Sequence, residues 1–191
     1  MKIIVFALLT LPLTVIAQEK PYYYEIPEAP GEYSAATVAA RLVDGLGFRY
    51  FWATEGLREE DLSFKPSEEA RTSLETIQHI QGLTKVLLNT VQKKPTGGGN
   101  NDLSTFVDFR EATLENIRQA SEILRKADAH LEEMPMIFQG KDSTREYPFW
   151  NLINGPISDA LWHVGQVVTF RRSSGNPLPS GVSVLQGTKR D

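Results

Sequence analysis

The chain contains no cysteine in 191 residues. That excludes disulfides and any lipid-attachment cysteine, so stability must come from a packed core, with a bound metal as the other contributor. Histidine is scarce: His79, His130 and His163 are the three present. Positive charge is also short. Lys and Arg total 20 against 24 Asp and Glu, giving a formal charge of −4 at pH 7. Such a chain lacks the basic face that general nucleic-acid binding needs. Long apolar runs are missing except at the start, where Ile3 to Ala17 is too short and too soon followed by polar residues to read as a membrane span. Lys2, the short apolar core, and Val15 and Ala17 instead read as a secretory signal peptide, 1–17, cut before Gln18. The expectation is an exported protein, periplasmic or secreted, with no span left after cleavage.

What remains is long enough for one domain with a sizeable core. It shows no internal repeat and no convincing pair of strands, but four helical patterns. A polar lead, 18–33, carries Tyr22, Tyr23 and Tyr24. From Ser34, Val38, Leu42, Leu46, Tyr50, Ala53 and Leu57 recur at helical steps, and Gly45 and Gly47 inside this run mark close approach of a neighbour. The stretch Glu59 to Pro66 reads as a loop. Thr72-Ser73-Leu74-Glu75 has the capping-box spacing and opens a second helix with Thr76, His79, Ile80, Leu83, Leu87 and Val91 on its core stripe. After a breaker at Pro95 to Asn101, a third helix is expected from about Asp102 to near His130, with Phe106, Phe109, Thr113, Ile117, Ala120 and Leu124 inward. Met134 to Tyr147 read as a connection with a turn at Gly140-Lys141-Asp142. A fourth helix runs from Phe149 or Ile157 to Arg172, started or kinked by Pro156 and ended at Gly175 and Pro177. The fold class expected is all-α, a four-helix bundle over 34–177 with an irregular tail, 178–191.

Two of the histidines fall where apolar residues are expected. Asp159 and His163 are one helical turn apart in an otherwise apolar run, and side chains at i and i+4 share a face, so both could grip one ion. His79, on the inward side of the second helix, offers a third donor. Two imidazoles and a carboxylate suit zinc, nickel or iron(II) and leave positions open for water or substrate. The same spacing also suits a plain hydrogen-bonded pair, and a buried Asp159 needs some cationic or hydrogen-bonding partner in either case. Gln166 shares the His163 face, where it either orients a ligand or bonds to backbone. Trp162 flanks the pair; Trp52 and Phe48 either wall a pocket or pack the core. His130 reads as an exposed helix C-terminal cap, and Arg171 and Arg172 as cations facing a helix dipole rather than as anion ligands.

On these residues the chain resembles the DinB/YfiT-like superfamily of metal-dependent four-helix-bundle proteins. The resemblance rests on Ser73 to Ile80, on Asp159 to Val168, on Leu62 to Pro66 and on Arg171 to Pro177, and covers roughly 34–177. It implies one histidine on the second helix and a His-x-x-x-His pair on a later one, ligating zinc or nickel. His79 and His163 match that pattern; Asp159 stands where the first histidine of the pair is usual. A carboxylate there lowers the charge of the site and would make a bound water less acidic. The resemblance implies a metal-dependent hydrolase of unknown substrate, with a non-catalytic metal- or ligand-binding protein and a thiol-S-transferase as alternatives. The partner expected is a small molecule; a homodimer stays open.

Overall fold

The computed structural model describes residues 20–98, 102–126 and 128–190. The expected signal peptide, 1–17, lies outside them. The fold is mostly helical, with a small strand content. Four long helices supply the frame: α1 (Ala35–Thr54), α3 (Ser73–Val91), α4 (Phe106–Leu124) and α6 (Ser158–Ser173). A short α2 (Glu59–Ser63) and α5 (Phe149–Leu152) complete the helical set. Helices α1 and α3 each pack against both α4 and α6. Among the described residues no helix is long and apolar enough to cross a membrane.

Three of the long helices open on a capping box. Ser34 caps α1 with Thr37, Thr72 caps α3 with Glu75, and Thr105 caps α4 with Asp108, each satisfying amides that the first turn leaves unpaired. Helix α6 has no cap because it continues from α5 through a π turn, Ile153–Ile157. Pro156 lies inside that turn; a proline ring collides with the carbonyl four residues back in a regular helix, and the wider turn relieves this. The Ser158 hydroxyl donates to the Ile153 carbonyl at 2.7 Å.

Several expectations are corrected. On α1 the expected Leu46, Tyr50 and Ala53 are buried, but Val38 and Leu42 are exposed, and toward the helix start Ala36, Ala39, Ala40 and Val43 are buried instead. The expected loop after Leu57 contains α2, nucleated by Asp61, whose carboxylate accepts from the Arg58 backbone N–H at 2.8 Å. Helix α4 starts at Phe106 and ends at Leu124, so His130 caps no helix C-terminus; it precedes a 3₁₀ turn, Leu131–Glu133, and is exposed.

Strands are present as well. β1 (Thr96–Gly97) pairs in parallel with β2 (Met136–Gln139), and β2 pairs antiparallel with β3 (Thr144–Tyr147) around the expected turn. In the tail, β4 (Val182–Ser183) and β5 (Thr188–Lys189) form a hairpin.

The lead is packed rather than loose. Tyr23 is buried, and a Cβ on Gly47 would sit 2.4 Å from its ring, which is the close approach the glycine pattern suggested. The Tyr23 hydroxyl donates to buried Asp44 at 3.3 Å, and Asp44 also pairs with Arg125 of the α4 C-terminus. The Ile26 amide donates to the Gly187 carbonyl at 2.8 Å, tying lead to tail.

Arg171, read as a helix-end cation, is buried. Its Nη1 donates to the carbonyls of Trp52, Ala53 and Glu55 at 2.9, 3.1 and 3.0 Å, satisfying the open end of α1. Beside it Asp61, also buried, accepts from Arg58, Ser174 and Asn176, joining α2 to the end of α6.

Candidate metal centre

On α6, Ala160, Val164 and Val167 are buried. Asp159, His163 and Gln166 each precede one of them, so at 100° per residue they form the adjacent flank of the helix, turned toward α3. On α3, Ile77 and Ile80 are fully buried and His79 lies beside them at the edge of the interface. Packing of α3 on α6 brings the two flanks together.

The three donors converge. His79 Nε2 is 3.4 Å from Asp159 Oδ2, and His163 Nε2 is 3.3 Å from Asp159 Oδ1. The imidazole rings meet edge to face, 4.7 Å between centroids at 87°. One ligand atom from each residue lies within 4.8 Å of the others. Side-chain exposures of 34, 40 and 15% for His79, Asp159 and His163 leave the group open to solvent on one side.

Gln166 Oε1 lies 2.7 Å from His163 Nδ1, a contact in which an Nδ1–H would donate and Nε2 would be left to face Asp159. Both nitrogen–oxygen contacts to Asp159 are longer than the about 2.7–2.9 Å of charge-assisted N–H···O bonds. Ligand bonds of about 2.1 Å at the tetrahedral angle set donors roughly 3.4 Å apart. The residues present fit a divalent ion, with Gln166 as the outer partner that fixes ring orientation.

No family model, curated protein or solved structure matches the chain. The geometry therefore stands alone. Of the other residues proposed for the site, Trp162 is on the same turn of α6 as the donors but 74% exposed, facing solvent. Trp52 is buried against Tyr24 and Phe51, with its Nε1 donating to the Tyr24 carbonyl at 3.1 Å. Phe48 is fully buried in the core. Trp52 ties the lead to α1. No fourth carboxylate, imidazole or thiol joins the three among the described residues.

Proposed function

We propose that the chain is an exported, DinB-like four-helix bundle that holds one divalent ion on His79, Asp159 and His163 and acts as a metal-dependent hydrolase. The convergence of two imidazoles and a carboxylate on a solvent-open flank carries this reading. Zinc or nickel best suits the donor set, with iron(II) as the third choice. When bound, the ion would supply Lewis acidity, polarising a substrate oxygen and making water nucleophilic near neutral pH. The protein's own contribution is orientation. Gln166 holds the His163 ring with its lone pair inward, Asp159 supplies the negative charge that retains a dication, and the packed α3–α6 interface fixes their separation.

Elemental analysis tests it. Purified protein exposed in turn to zinc, nickel and iron(II) and then desalted should retain about one ion per chain, and His163→Ala should retain none. Absence of stoichiometric metal with all three would end the proposal. The three-donor limit favours a second reading, a non-catalytic ligand-binding bundle, since among the described residues no further carboxylate or imidazole joins the group. That version predicts the same metal content with no turnover of ester, amide or phosphoester substrates.

A further inference from the structure

An open cleft of about 500 Å³ lies between the β2–β3 hairpin and the start of the last helix, within the range of about 300–1,000 Å³ usual for small-molecule sites. The hairpin register builds one wall. Met136 pairs with Tyr147 and Phe138 with Arg145, and these four line the cleft. The alternate pairs, Ile137 with Glu146 and Gln139 with Thr144, belong to the opposite face. Phe138 and Tyr147 stack edge to face at 6.2 Å. Asn151 and Asn154, from α5 and the π turn, form the facing wall.

The polar side chains of this cleft, Arg145, Asn151 and Asn154, are exposed to solvent at its rim. Among the described residues, Arg145 makes no ion pair and no side-chain hydrogen bond, and the side-chain amides of Asn151 and Asn154 are likewise without partners. The carboxylate next in sequence, Glu146, is on the other face of the strand. One guanidinium, two neutral amides and an aromatic–thioether wall define a complementary ligand. The guanidinium fork matches a carboxylate in a bidentate pair, the amides can take its remaining lone pairs or an adjoining carbonyl, and the aromatic wall takes an apolar body. A phosphate monoester, with about −1.5 to −2 charge, would meet only one cation here. We propose that this cleft binds a small monocarboxylate carried on an aromatic or apolar body. The proposal does not depend on the metal centre.

Isothermal titration with phenylacetate tests it on the purified protein. Saturable one-to-one binding is expected, unchanged by chelator and by His163→Ala. Arg145→Ala should weaken it about tenfold or more, as loss of a charged hydrogen-bonding partner does, while Arg145→Lys, which keeps the charge and loses the fork, falls between. Far-UV circular dichroism should be unaltered in both variants, since among the described residues the Arg145 side chain makes no hydrogen bond or ion pair. Phenylacetamide, the neutral analogue, should not compete. No saturable binding, equal binding of the amide, full affinity in Arg145→Ala, or tighter binding of phenyl phosphate would each overturn the assignment.

Discussion

Replacing Gln166 with Leu separates the orientation of a donor from its identity, since all three proposed ligands remain. The 2.7 Å contact to His163 Nδ1 is lost and the ring is free to rotate and to change tautomer. Loss of such an outer partner costs about 10–100-fold in metal affinity, or about 1.4–2.7 kcal/mol. The consequence for stability can be worked out. At free metal one hundred times the dissociation constant, a bound ion adds about 2.7 kcal/mol to the folded state. For a domain of this length that raises Tm by roughly 5–11 °C, at about 2–4 °C per kcal/mol. In Gln166→Leu the same free metal is only about one to ten times the dissociation constant, so the increment falls to roughly 0.4–1.4 kcal/mol, or about 1–6 °C. Differential scanning calorimetry with and without chelator reads the increment within each protein, which cancels any effect of the lost hydrogen bond on the metal-free fold. A wild-type-sized increment in Gln166→Leu, with an unchanged dissociation constant by competition titration, would show that Gln166 does not position the ring.

Three further outcomes are expected. Asp159→Ala should abolish the metal-dependent rise in Tm, whereas Asp159→His, which restores the imidazole of the resembled pattern, should keep it; loss of the rise in both would mean that geometry at this position, not donor type, is decisive. Arg58, with Ser174 and Asn176, holds the Asp61 carboxyl well below the ordinary carboxylate range, so the ionised side chain stabilises the fold above the unfolded value of about 4 and that contribution is lost as pH falls below it. Asp61→Asn should therefore cost about 2–4 kcal/mol near neutral pH, a gap that narrows in urea titrations run at progressively lower pH; a constant gap would contradict the linkage. Gly47→Ala forces a Cβ to within 2.4 Å of the Tyr23 ring and should destabilise by about 1–3 kcal/mol, but by clearly less in a Tyr23→Ala background; equal costs in both would uncouple the two residues.

How much was legible in the sequence follows the range of the forces involved. The Thr72–Glu75 box is a three-residue interaction, so its spacing alone is sufficient to locate the start of α3. Asp159 and His163 are likewise local, one turn apart. Convergence with His79 is not; it depends on α3 packing against α6, which no spacing encodes. On α1 the helical period holds at Leu46, Tyr50 and Ala53, which are buried, and fails nearer the start, where Val38 and Leu42 satisfy the period but Ala36, Ala39 and Ala40 take the buried positions. Arg171 reads in the sequence as a cation facing its own helix dipole, because its role of capping a helix more than a hundred residues earlier exists only in the tertiary structure. The β2–β3 hairpin escaped because each strand has only four residues, too few for alternation to stand out.

The π turn at Ile153–Ile157 divides the last helix into two segments with separate angular settings. An extra residue in one turn advances everything beyond it by about 100° relative to an unbroken helix. Phe149–Leu152 is thereby set against both β2 and α3, while Ser158–Ser173 is set against α1 and α3. Deleting a single residue from the turn would restore one continuous phase and swing Asn151 and Asn154 about a quarter of a revolution around the axis relative to Asp159. The surplus residue thus acts as an offset coupling, letting one rod present two differently aimed surfaces.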